Sequence, residues 1–221
     1  MKKSSCVTVL LLILVIGSST ILYLQGETIR IANPKVYDSL LNFLTIGIGG
    51  GFLALLFSQY AKEREERERD RSVRRDMFND LLVAYSKAKK VQRLMRGRAI
   101  CSISNGGLHV LCDEYDKLFD DLNDARLSFE AQVHQIKANS RLFPNEPKLT
   151  ESLQAMEQYL ALTIQEHQKD FWRSSDAPRK RLLSDLQALE NFLGYNKETN
   201  KFMTEFRYPF GEAVKDFGSL L

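Results

Sequence analysis

Hydrophobic and polar residues are unevenly distributed along this chain. Two apolar segments without a charged side chain, residues 6–24 and 40–60, are separated by the short stretch 25–39. From residue 61 onward charged residues are frequent, and apolar residues recur every three or four positions, which is typical of amphipathic helices. The pattern predicts an all-α protein with a two-helix transmembrane hairpin, a charged helical stalk and a bundle of about four to five helices.

The first apolar segment is long enough to cross a lipid bilayer. A helix rises about 1.5 Å per residue, so residues 6–24 match a hydrocarbon core of roughly 30 Å. A cleaved signal peptide is the alternative interpretation, because Lys2 and Lys3 precede the segment. The small-residue cleavage pattern is missing from the residues that follow, and we therefore expect a retained transmembrane helix.

Basic residues indicate the orientation of the two predicted spans. Lys2 and Lys3 precede the first span, and a run of basic residues from Lys62 to Arg75 follows the second. By the positive-inside rule, residues 1–5 and everything after residue 60 lie in the cytoplasm, and 25–39 form a short extracytoplasmic connector. The layout resembles that of bacterial inner-membrane proteins, which implies an integral protein of the bacterial inner (plasma) membrane.

Small residues in the two spans predict where helices pack closely. Gly47 and Gly51 are four residues apart and share one helix face, and Gly17 begins a similar small patch in the first span. We expect these patches to pack the two spans of one chain against each other; oligomerisation and a flexible point in a pore-lining helix are the alternatives. Neither span contains an ionisable residue, which argues against a proton relay or an ion-coupled transporter.

The polar part of the chain divides into two predicted regions. Residues 61–77 have no apolar stripe but carry acid–base pairs four residues apart, such as Glu63 with Arg67, and are expected to form a helical stalk. Residues 78–221 are expected to form a cytoplasmic α-helical domain. Within it, residues 99–111 contain Asn-Gly-Gly, which could turn a small hairpin, but we expect a loop between helices.

Charge and aromatic patterns refine the picture of the helical domain. A basic run at 87–98 is followed by an acidic run at 113–124, and the two helices are expected to lie antiparallel with complementary flanks. The basic run then has an internal partner and lacks interleaved aromatic residues, which argues against nucleic acid as a partner. The tail aromatics are expected to close the bundle core, with a membrane-touching tail as the alternative: Phe202, Phe206, Phe210 and Phe217.

Residues capable of catalysis or metal binding are sparse. The three cysteines form no CxxC pair and fit a reducing cytosol. His109, Cys112 and Cys101 are too few for a structural zinc site, which needs four ligands. No nucleotide-binding, hydrolase or metalloprotease motif is present. We therefore expect no catalytic residue, no cofactor, no metal and no enzyme activity.

These features predict a membrane-anchored helical scaffold or adaptor. Its expected partners are the lipid bilayer and, through the cytoplasmic helices, either a second copy of the chain or another protein. The alternative is a two-span membrane effector or channel-like subunit whose helical domain senses a signal.

Overall fold

The computed structural model describes residues 13, 16, 17, 19, 20, 23–42, 46, 49–102, 107–169, 180–195 and 200–221. The chain divides into two units, Met1–Arg69 and Asp70–Leu221. The described residues are mostly helical, and the predicted all-α class is confirmed at that level.

In the first unit, helical residues 23–32 precede α1 (Pro34–Asn42), and the helix α2 (Gly50–Leu94) begins inside the second predicted span. Among the described residues, no helix combines the length and the apolar character needed to cross a membrane. Much of the predicted span 6–24, and residues 43–45, 47 and 48 of the span 40–60, lie outside the described residues.

The charged residues 61–77, predicted as a stalk, belong to the helix α2. Arg64 Nε lies 2.8 Å from Glu68 Oε1, and Arg67 Nη2 lies 3.7 Å from Glu63 Oε2. The hydrogen bond to Glu68 raises the pKa of Arg64. All four side chains are well exposed, so these pairs support the helix locally and add little to the stability of the fold.

The second unit begins at Asp70, within the residues predicted as stalk. Val73 packs against the core of this unit, and Met77 is buried in it. Asp70 Oδ1 accepts a hydrogen bond from Arg141 Nη2 at 3.0 Å, which joins the start of the unit to residues more distant in sequence. The sequence pattern places the start of the apolar stripe of α2 at Phe78. In the structure the stripe starts earlier, at Val73.

The described part of the second unit contains five α-helices: the end of α2, α3 (Cys112–Ala138), α4 (Glu146–His167), α5 (Gln187–Leu193) and α6 (Tyr208–Gly218). Their apolar stripes converge on one core whose largest fully buried members include Tyr115, Phe129, Phe143, Phe192, Phe206 and Phe217. Pro147 and Pro209 lie in the first turns of α4 and α6, where a missing N–H costs nothing.

The antiparallel arrangement predicted for α2 and α3 is confirmed by ion pairs along their length. Asp70 meets Arg141 just beyond the end of α3, and Lys87 Nζ lies 2.8 Å from Asp124 Oδ2 and 3.7 Å from Asp121 Oδ1. Residue numbers rise on one helix as they fall on the other. The acidic run thus neutralises the start of the basic run.

A small sheet corrects the prediction of a loop at 99–111. After a π-helical turn at Met95–Ala99, β1 (Ile100–Ser102) pairs antiparallel with β2 (Leu108–Leu111), and β2 pairs antiparallel with β3 (Lys180–Leu182). Strands of three and four residues are too short to show an alternating pattern, and the third strand comes from a distant part of the chain. Leu108 and Leu111 are spaced like the start of the apolar stripe of α3, but they lie in β2, and the helix begins at Cys112.

The C-terminal end of α5 and the tail agree with the sequence pattern more closely than the sheet does. Glycine is a common signal for the end of a helix, and Gly194 follows α5 with φ of 69°, a left-handed conformation that suits glycine. Phe206, in the π-helical segment Phe202–Arg207, and Phe217, in α6, are fully buried, so the prediction that the tail aromatics close the core is confirmed. Asp176 and Pro178, whose residue types favour the start of a helix, lie outside the described residues.

Candidate functional site

The glycines predicted to pack helices in the membrane are only partly described. Gly17 and Gly51 are exposed, and a Cβ atom added to either would meet no heavy atom within 4 Å in the described part of the chain. Gly47 lies outside the described residues. Helix packing through Gly17, Gly47 and Gly51 therefore stays a prediction.

The fold brings together only some of the cysteines and histidines that the structure describes. Cys101 and His109 are cross-strand partners in the β1–β2 hairpin, whereas Cys112 is buried at the start of α3. Burial, reinforced by the carboxylates of Asp116 and Asp113, raises the pKa of the Cys112 thiol and keeps it protonated. Within the described ranges, no three His, Cys, Asp or Glu side chains are grouped so that they could hold a metal ion.

Glu166 is a buried carboxylate with a structural role. Its Oε1 accepts the Ala188 N–H at 3.1 Å, and its Oε2 accepts the Leu189 N–H at 2.9 Å. Both N–H groups belong to the first turn of α5, which has no side-chain cap of its own. Glu166 therefore caps α5 from a neighbouring helix and places its negative charge at the positive end of that helix.

A groove between α2 and α3 is the strongest candidate for an interaction surface. It has a volume of about 210 Å³ and is lined from α2 by Asp80, Val83 and Ala84, and from α3 by Ser128, Ala131, Gln132 and Gln135. Ala84, Ser128 and Ala131 are small, which allows another helix to approach the backbone closely. Val83 is 66% exposed at the rim, so an apolar side chain already faces a possible partner.

Gln132 distinguishes this groove from an ordinary gap between helices. The side chain is only 4% exposed, yet neither its amide nitrogen nor its amide oxygen has a hydrogen-bond partner in the described part of the chain. A buried polar group without a partner costs about 1–3 kcal/mol, so such groups call for an explanation. A partner that enters the groove and bonds to this amide would remove the penalty.

Sequence reasoning missed Gln132, although a signal was present. Ala125, Phe129, Gln132 and Ile136 follow one another at spacings of four, three and four, so the glutamine occupies a position in the apolar stripe of α3. A polar residue in such a stripe often specifies how helices associate. Its lack of a partner, however, depends on neighbours that only the folded chain defines.

Comparisons with protein-family models, with curated proteins and with solved structures give no match to this chain.

Proposed function

We propose that this chain is a membrane-anchored helical scaffold or adaptor that associates with a second copy of itself through the α2–α3 groove. In this proposal, residues 6–24 and 40–60 form a transmembrane hairpin in a bacterial inner membrane, with both termini in the cytoplasm. The second unit then holds copies together at the cytoplasmic face and performs no catalysis.

Exposed apolar side chains in the first unit support the membrane part of the proposal. Ile46, Phe57 and Leu53 are 73%, 70% and 53% exposed, although side chains of this type normally avoid water. They belong to the second predicted span, which carries no charge. A lipid environment would bury these side chains, and the basic residues that follow would stay at the cytoplasmic surface.

The membrane prediction is tested by fractionation. When the full chain is expressed in bacteria, it should sediment with the membranes and stay there after a wash at alkaline pH in carbonate, because transmembrane helices are held by the hydrophobic effect rather than by charge. A fluorescent protein that folds only in the cytoplasm should fluoresce when fused to the C-terminus. Release of the chain into the supernatant would contradict the hairpin.

The orphaned amide of Gln132 is the observation that carries the self-association part of the proposal. An amide offers both a donor and an acceptor. In this proposal the Gln132 side chain, whose polar atoms are buried in the single chain, turns into the groove that it lines, and two copies then satisfy each other across a two-fold axis. The small residues beside it permit the close approach that such a bond needs, and Val83 at the rim adds apolar contact. Attachment to one membrane also raises the effective concentration of the two copies.

Val83→Glu is expected to convert a dimer or higher oligomer into a monomer, because it places a charge in the proposed interface. The mass of the detergent-solubilised full chain, measured by light scattering during size-exclusion chromatography, gives the result. Leu162→Glu is the matched control, since Leu162 is 52% exposed on α4 and does not line the groove. A monomeric unmodified chain, or equal dissociation by both variants, would refute the α2–α3 interface.

The alternative function, a two-span effector or channel-like subunit, predicts a different result in the same expressing cells. Oligomerised hairpins would depolarise the cells through the Gly47 and Gly51 face, and Gly51→Leu would restore the potential. A potential-sensitive dye separates the two functions, because a scaffold leaves the membrane potential unchanged.

A further inference from the structure

A basic cleft lies on another face of the second unit, between α2 and the C-terminal segment. Its volume is about 680 Å³, within the range typical of small-molecule sites. Its cations are Lys89, Lys90 and Arg93 of α2 and Arg207, which precedes α6; the other lining residues are Tyr85, Ser86 and Leu94. No acidic side chain is among them.

The fold gathers these cations because α2 presents them on one face. Residues 86, 89, 90 and 93 are spaced by three, one and three positions, so they lie on adjacent turns of the helix. Tyr85, also on α2, contacts the C-terminal segment: its ring stacks on Phe210 with centroids 3.6 Å apart and on Phe206 at 5.5 Å. Arg207 follows Phe206 directly and is thereby brought to the cleft.

The contacts that the structure gives these cations are to neutral groups. Lys89 Nζ donates to Gln92 Oε1 at 2.8 Å and lies 4.5 Å from the centre of the Phe202 ring. Arg207 Nη1 approaches Met203 Sδ at 3.6 Å. Within the described residues, neither Lys90 nor Arg93 lies within ion-pair distance of a carboxylate.

Lys87, which lies three residues before Lys90 on the same helix, gives a local contrast to the cations of the cleft. That lysine is paired with both Asp121 and Asp124. At Lys89, by contrast, burial lowers the pKa of the ammonium group, and repulsion from Arg93, Arg96 and Arg207 lowers it further. The prediction that acidic residues of the chain match the basic run therefore holds for Lys87 and, within the described residues, fails for Lys90 and Arg93.

We propose that this cleft binds a small molecule carrying two or more phosphate groups. Two guanidinium groups can each grip phosphate oxygens with paired N–H donors, and two ammonium groups add point charges. Four cations in one concave site match the charge of a di- or triphosphate better than that of a single carboxylate or phosphate. The hydroxyls of Tyr85 and Ser86 supply further donors at the rim. The site is separate from the α2–α3 groove, so it does not rest on self-association.

Calorimetric titration of the full chain in detergent with inorganic triphosphate tests the proposal. The expected result is saturable binding at about one site per chain, with an affinity that falls as salt rises. Arg93→Gln and Arg207→Gln should each weaken binding about tenfold or more, since each removes a charge-assisted contact. Arg75→Gln, an exposed arginine of α2 outside the cleft, is the matched control and should leave the affinity unchanged.

Two further arms identify the source of the phosphates. A nucleoside triphosphate that binds at least as tightly as inorganic triphosphate indicates a free ligand. Vesicles containing a bisphosphorylated inositol lipid, if they bind the chain more tightly than either and lose binding in Arg93→Gln, indicate a lipid headgroup; both results support the proposal. Absence of saturable binding, equal loss in Arg75→Gln, or tighter binding of a single-stranded oligonucleotide that is insensitive to Arg93→Gln and Arg207→Gln would overturn it.

Discussion

Replacing Phe206 by alanine is expected to destabilise the second unit by about 3–5 kcal/mol, the range found when large aromatic side chains are truncated in a core. Phe206 is fully buried. Its ring centre lies 5.3 Å from that of Phe202, 5.5 Å from Tyr85, 5.8 Å from Tyr159 and 5.9 Å from Phe129. The ring thus joins α2, α3 and α4 to the C-terminal segment, and its removal leaves a cavity that four rigid neighbours cannot fill.

Urea unfolding of the full chain, followed by circular dichroism, measures the loss. Tyr208→Ala is the control, because Tyr208 is an aromatic residue in the same segment but is 62% exposed. We expect this control to change the free energy of unfolding by about 0.5 kcal/mol or less. A loss for Phe206→Ala no greater than that of the control would show that the C-terminal segment is not part of the cooperative core.

Replacing Glu166 by alanine is expected to cost about 1–3 kcal/mol of stability. The side chain accepts the N–H groups of Ala188 and Leu189, and alanine would leave both without this acceptor in a partly buried helix end. It would also remove a negative charge from the N-terminus of α5. Glu166→Gln should lose less, because one oxygen acceptor remains.

The same unfolding measurement distinguishes the loss of the helix cap from a general effect of removing a negative charge. Glu151→Ala changes an exposed glutamate on the same helix and should alter stability by about 0.5 kcal/mol or less. We expect Glu151→Ala to be the most stable of the three variants, Glu166→Gln to be intermediate and Glu166→Ala to be the least stable. If all three variants were equally stable, the remote cap would have no measurable role.

The two candidate surfaces of the second unit differ in what makes them unusual. In the α2–α3 groove, a neutral amide is buried and finds no hydrogen-bond partner among the described residues. In the basic cleft, several cations line one site, and no acidic residue is among the described residues that line it. A partner surface that supplies hydrogen bonds would satisfy the buried amide, and an anion would neutralise the cations. A chain that associates through one face and binds a phosphorylated ligand at the other could couple its assembly to that ligand.

Local sequence patterns predicted the helices because helix periodicity is written in neighbouring residues. The stripe at 115, 118, 122, 125 and 129 predicted α3, and Gly194 predicted the end of α5. Element ends were less accurate, since helix termini depend on contacts outside the helix. The β1–β2–β3 sheet was missed for the same reason: Leu182 pairs with His109 only after α3 and α4, which lie between them in sequence, have folded back.

Sequence alone determined the class of the fold, the charge-free segments and the antiparallel pairing of the basic and acidic helices, because each depends on local spacing or on net charge along one face. The tertiary structure alone decided which polar groups lack partners. Gln132 is buried without a hydrogen-bond partner in the described part of the chain, and Arg207 joins Lys89 and Arg93 because the C-terminal segment folds back onto α2. Whether a charge is neutralised depends on residues far apart in sequence, and folding is what brings them together.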